Sequence, residues 1–135
     1  MLAAEMIATH PEKDRSNPDL LRCIEDCFAC AQTCTSCADA CLAEEKVAEL
    51  RRCVRLNLDC ADLCLATGRI ATRRTESDDS TLVAALDACA TACRLCGDEC
   101  ARHGEHMGHC RISAERCRRC ERSCRDAIDS IRGQG

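Results

Sequence analysis

Six cysteines, Cys23, Cys27, Cys30, Cys34, Cys37 and Cys41, recur at steps of four, three, four, three and four. That spacing sets them on one stripe of an α-helix, the a/d seam of a helical bundle, with thiols where leucines ordinarily stand. A core built from soft ligands points to a soft metal.

Three further segments repeat the stripe. One carries Cys53, Cys60 and Cys64, with Asn57 in the vacant position between the first two. The next carries Cys89, Cys93, Cys96 and Cys100, and the last Cys110, Cys117, Cys120 and Cys124. All 17 cysteines fall on these four stripes and none strays into a loop.

Local signals bound the helices. Leu2 to Thr9 reads as a short amphipathic helical segment ending before His10-Pro11. Ser16 or Asn17 serves as N-cap, with Pro18 at the first helical position, for a helix reaching about Ala43. A second helix is expected over about Glu45–Thr72, a third over about Thr81–His103 and a fourth over about Met107–Ile131. The polar run Thr75–Ser80 supplies capping chemistry for the third. Gly104 suits the C′ position that ends it, and Gly133–Gly135 should fray. Four helices of about 22–28 residues with short connections favour an all-α, antiparallel up-down-up-down bundle preceded by a short helical segment. The 135 residues then form one domain, with residues 1–17 as the N-terminal segment and 18–132 as the bundle.

The cysteine content exceeds the roughly 8–10% at which a small secreted chain is read as a disulfide scaffold. That reading fails here. The N-terminus carries no basic and apolar signal pattern, the cysteine number is odd, and the spacing is helical. The expected compartment is the reducing cytoplasm. No apolar run approaches the ~20 residues of a membrane span. The net charge of −4 argues against nucleic acid as a partner. With one Phe, no Trp and no Tyr, something other than aromatic rings must fill the centre.

Thiols three or four residues apart lie on one helix face and can grip one small ion. Four such stripes facing inward make a tube lined with sulfur. Bare thiolates in that number would be forced by burial to protonate, so a metal must neutralise them. Cu(I) takes two sulfurs and lets each sulfur bridge two ions, giving near-neutrality at about one ion per cysteine. A zinc Cys₄ site keeps net negative charge, and iron–sulfur clusters prefer loop spacings absent here. Cu(I) fits best. A general thiolate buffer for zinc, a redox-active cysteine protein and a plain structural bundle are the rivals. No catalytic residues are expected, and the chain is read as a non-enzyme.

A second cluster, His103, His106, Met107 and His109, lies at the junction of the third and fourth helices. In an antiparallel bundle it shares an end with Cys41, Cys53, Cys100 and Cys110, and imidazole and thioether both suit copper. Leu20, Leu82, Leu86, Ile128 and Ile131 would plug the other end. The His/Met end is therefore the expected mouth. Which of its histidines binds metal is open. Asn57 is either a carbonyl ligand or a buried register-fixing residue. His10 stands alone and is expected to be inert. The arginines of the fourth helix alternate with acids and read as a solvated face. Leu42, Leu50, Val54, Leu58 and Leu65 lie partly off the stripes and are expected to bury against another subunit.

The Cys23–Cys41 stripe, the Asn57-interrupted stripe, the third and fourth cysteine helices and the His103–His109 cluster together resemble bacterial cytosolic copper storage proteins. The resemblance covers about residues 19–132. It implies a homotetramer of bundles, each core holding many Cu(I) ions for storage and detoxification. It also implies that all 17 cysteines, Asn57 and part of the His/Met cluster are ligands. Exported relatives carry a twin-arginine signal, which this sequence does not show.

Overall fold

A computed structural model describes residues 2–133. Helix α1 spans Leu2–Ala8 and leads through a 3-10 turn at Lys13–Arg15 into α2, Pro18–Leu42. Helices α3 (Arg51–Thr72), α4 (Asp79–His103) and α5 (Gly108–Gly133) follow. Each of α2 to α5 packs against two neighbours: α2 lies between α3 and α5, and α4 closes the ring opposite it. Adjacent helices run antiparallel, so the expected all-α up-down-up-down bundle is the observed fold. Among the described residues no helix is long and apolar enough to cross a membrane.

The helix ends follow local chemistry. The Asn17 side chain accepts a hydrogen bond from the Leu20 amide at 2.9 Å, ahead of Pro18. Asp78 caps α4 by accepting from the Ser80 and Thr81 amides at 2.8 and 3.3 Å, which starts that helix two residues before the expected Thr81. In the turn ahead of it Glu76 adopts a left-handed backbone, φ 49°.

The start of the second long helix differs from expectation. Residues 43–50 offer no Ser, Thr, Asn or Asp to cap it. Instead a 3-10 turn at Val47–Leu50 leads into α3 at Arg51. The turn swings Leu50 into the core, where it is 1% exposed, so Leu50 belongs to the bundle's own interior and not to a subunit face. Gly104 also differs: its backbone is right-handed (φ −65°, ψ −23°), not the left-handed form of a glycine C′. Its value is space, since a Cβ there would stand 3.4 Å from the Arg111 Cα. Helix α5 begins at Gly108 and keeps Gly133 helical; the rest of the expected fraying falls on Gln134 and Gly135, outside the described residues.

Leu20, Leu82, Leu86 and Ile128 are buried at the end away from the α4–α5 turn, joined by Ile24, and Ile131 packs against them. That end is closed, as expected. Leu42, Leu58 and Leu65 stay exposed on the flank, while Val54 is partly covered.

Candidate metal centre

The four stripes turn inward together. Every cysteine is buried and free, between 0 and 1% exposed. The sulfurs meet across neighbouring helices, as in Cys34–Cys117 (3.6 Å), Cys60–Cys93 (3.7 Å), Cys23–Cys124 (3.7 Å) and Cys53–Cys100 (3.7 Å). They also meet across both diagonals, Cys34–Cys96 at 4.0 Å and Cys64–Cys120 at 3.9 Å. The result is a core lined with sulfur, with no competing aromatic side chain.

Five sets of side chains bring their ligand atoms within 4.8 Å of one another. Three lie deep: Cys27, Cys89, Cys120 and Cys124; Cys30, Cys64, Cys93 and Cys120; and Cys30, Cys34, Cys60 and Cys117. Two lie near the α4–α5 turn: Cys37, Cys41, Cys110 and His109; and Cys37, Cys53 and Cys100. Cys30, Cys37 and Cys120 each belong to two sets. Shared corners suit an ion that accepts bridging thiolates better than one that needs four ligands of its own.

The sulfur–sulfur contacts shift the thiols in both directions. Contacts with Cys124 and Cys27 outweigh burial and pull Cys23 down to about 5, and the Cys117 contact leads in lowering Cys34 to about 6. Contacts with Cys120 above all raise Cys27, and the Cys100 contact raises Cys53. Burial, with the Cys41 charge next, pushes Cys110 up to about 12.

The histidines separate by position. His109 Nδ1 lies 3.4 Å from Cys37 Sγ and 3.6 Å from Cys110 Sγ, and its buried Nε2 has no hydrogen-bond partner. His103 instead faces Glu99, Nε2 to Oε2 at 3.1 Å; Arg102 and Arg52 hold the other Glu99 oxygen. His106 is exposed, and Met107 is partly buried against the core. His103, His106 and Met107 line a cavity of about 600 Å³ together with Glu44, Glu45 and Glu49. The cavity lies at the end of the bundle nearest Cys41, Cys53, Cys100 and Cys110, with Leu50 and Met107 between it and the core. His10 is spent locally, its Nδ1 accepting from the Glu12 amide at 2.9 Å.

Asn57 is fully buried within the column. Its Oδ1 accepts from Ser113 Oγ (3.1 Å), Cys96 Sγ (3.2 Å) and Cys100 Sγ (3.6 Å), while Nδ2 donates to Cys53 Sγ at 3.5 Å. Ser113 was not among the residues expected from sequence. The signal was present: it lies three residues after Cys110 and four before Cys117, in the vacant position of the α5 stripe. Also unforeseen is a buried polar tie outside the column, where Ser123 donates to Asp26 and Arg119 Nε reaches the other carboxylate oxygen at 3.2 Å. It pins α2 to α5 beside Cys27 and Cys124.

Comparison with known proteins agrees with this geometry. None of the curated proteins compared matches the chain. Among solved structures, it is similar to the copper storage protein Ccsp from Streptomyces lividans loaded with 10 copper equivalents. That match has 44% identity over 94% of this chain and 98% of that one, with a TM-score of 0.88. It is also similar to a cytosolic copper storage protein from Streptomyces lividans holding five coppers, at 51% identity over 82% of this chain and 92% of that one, TM-score 0.81. Residues 16–129 match the family described as copper storage protein, and the chain belongs to that family.

Proposed function

We propose that the chain stores and sequesters copper as Cu(I), bound by the thiolates of the bundle core, and so buffers and detoxifies the metal. The observation that carries this is the sulfur column itself: 17 buried, unpaired thiols, all but Cys23 and Cys96 in sets that share corners. Each ion enters as Cu⁺ and displaces one thiol proton, so loading leaves the core's net charge unchanged. A filled column then escapes the penalty that stacked thiolates would otherwise carry. On this balance the capacity is about one Cu(I) per cysteine, roughly 17 per chain. The copper-loaded relatives, at five and 10 coppers, support the metal's identity.

All 17 cysteines act as ligands on this reading, with Asn57 offering Oδ1 and His109 offering Nδ1. His103, His106 and Met107 give an entering ion its first contacts in the acidic cavity. The protein performs no catalysis and works in the cytoplasm, a setting supported by the relative named cytosolic. Several bundles assemble through the flank that leaves Leu42, Leu58 and Leu65 exposed, in a homotetramer by analogy with the family. Sedimentation velocity tests this assembly; a monomer at all concentrations rejects it.

Competition between metals tests the function. Apo protein offered equal Cu(I) and Zn(II) under anaerobic conditions, with a Cu(I) chelator present, is expected to retain copper and leave zinc free. Retention of zinc at about four ions per chain with copper lost to the chelator would make the protein a zinc buffer.

A further inference from the structure

The sulfur column is interrupted at one level. Asn57 on α3 and Ser113 on α5 stand at the same height on opposite corners of the bundle. Both are fully buried, and they bond to each other through the core at 3.1 Å. Toward the mouth lie Cys37, Cys41, Cys53, Cys100 and Cys110; every other cysteine lies on the far side. Among the described residues no metal-binding set draws members from both sides. One sulfur–sulfur hydrogen-bonding contact joins them, Cys96 to Cys100 at 3.9 Å, along a single helix. Asn57 Oδ1 lies against both of those sulfurs, and Ser113 Oγ lies 3.7 Å from Cys34 and 3.5 Å from Cys100.

Resting on the copper-storage reading, we propose that Asn57 and Ser113 form a neck dividing the store into two pools that exchange at different rates. The mouth pool, five cysteines with His109, trades copper directly with the outside. The deep pool fills and empties through the Cys96–Cys100 step. Copper moves along the column by exchange: a new Cu–S bond forms as an old one breaks, the ion stays Cu(I), and the sulfur it vacates takes up a proton while the sulfur it reaches gives one up. At the neck the incoming sulfurs come from α4 with one from α2, and the remaining directions hold neutral oxygen and amide. Oxygen binds Cu(I) more weakly than thiolate, so this crossing is slower than any step within a pool. Ser113 is a positioning residue: by donating to Oδ1 it holds the Asn57 carbonyl toward Cys96 and Cys100.

The test is removal of copper from the fully loaded full-length chain by excess Cu(I) chelator, followed anaerobically by stopped flow. Two phases are expected, the fast one carrying about three-tenths of the copper, in proportion to five thiols among 17, and the slow one about tenfold or more slower. The double variant Asn57→Cys/Ser113→Cys carries sulfur through the neck and should merge the phases, with circular dichroism checking its fold. Cys100→Ala removes one side of the step and one mouth ligand, and should slow the second phase about tenfold further while the first phase shrinks to the share of four thiols. A single phase in the wild-type chain overturns the proposal. So do two phases that persist unchanged in a folded double variant, or a slow phase indifferent to Cys100→Ala. A wild-type chain that takes up no copper refutes storage itself, a failure read from metal content before any kinetics.

Discussion

Ser113 Oγ donates a 3.1 Å hydrogen bond to Asn57 Oδ1 across the diagonal between α5 and α3. These helices share little backbone contact, and the bond links them through the centre of the bundle. Asn57 also bonds Cys53 on its own helix and Cys96 and Cys100 on α4, so one amide ties α3 to α4 and α5.

Removing one partner should therefore cost less than removing the hub. Ser113→Ala leaves Oδ1 with thiol donors and is expected to destabilise the apo protein by about 1 kcal/mol. Asn57→Ala opens a cavity and strands Ser113, with an expected loss of about 2–3 kcal/mol. The double variant should cost little more than Asn57→Ala, because both changes strike one network. Urea unfolding of the three variants measures this; strict additivity would show that the bond carries no coupling.

The mouth histidines should behave differently. His109 sits against Cys37 and Cys110, whereas His103 is tied to Glu99. His109→Ala is expected to weaken the most loosely held copper by about tenfold or more, read by chelator competition. His103→Ala should leave copper affinity unchanged and lower apo stability by about 1 kcal/mol, through the lost Glu99 contact. Equal copper effects from both would contradict the separation seen in the structure.

Stability of the apo bundle should fall in alkali. Burial raises the Cys110 thiol from 9.0 to about 12. Below pH 9 it is protonated in both states and its contribution is fully present. Between pH 9 and 12 the unfolded chain releases the proton while the folded one keeps it, so rising pH favours unfolding. Thermal scans should show the apo Tm dropping by about 5 °C or more between about pH 8 and 11. Cys110→Ser should lessen that drop, with other raised thiols such as Cys27 and Cys53 sustaining the rest, and copper-loaded protein, already deprotonated, should not show it. An apo Tm that rises over this range would reverse the sign.

Close approach of α4 and α5 depends on Gly97. A Cβ at this position would stand 3.3 Å from Cys117 Cβ and 3.4 Å from Arg118 Nη1. Gly97→Leu cannot be absorbed by a flexible tip alone and is expected to cost about 2–3 kcal/mol by overpacking. Gly68 faces the Phe28 ring instead, with contacts from 3.1 Å, and the half-exposed ring can swing aside. Gly68→Ala should therefore change stability little, its gain in helix propensity offsetting the contact. Urea midpoints distinguish the two sites.

The bundle and its sulfur lining were legible because a 3.6-residue period survives any detail of packing. Asn57 stood out as the gap in a cysteine series. Ser113 did not: serine is unremarkable on a helix, and only the partner across the core gives it meaning. Leu50 was misplaced for a similar reason, since a 3-10 turn rotates a side chain off its helical bearing and no local residue announces the turn. The roles of His103 and His109 were beyond sequence as well. Both neighbour a turn with chemistry for copper, but the α4 end of the turn points one to Glu99 while α5 carries the other to Cys37.

The central claim is that the column is a store with a place for about one Cu(I) per thiol. Anaerobic titration of reduced apo protein, with bound copper quantified by metal analysis after gel filtration, tests it most directly. The account predicts saturation near 17 Cu(I) per chain, with a helical circular dichroism spectrum before the first addition and after the last. Saturation near four ions, or an apo chain that is random coil until metal arrives, would contradict it.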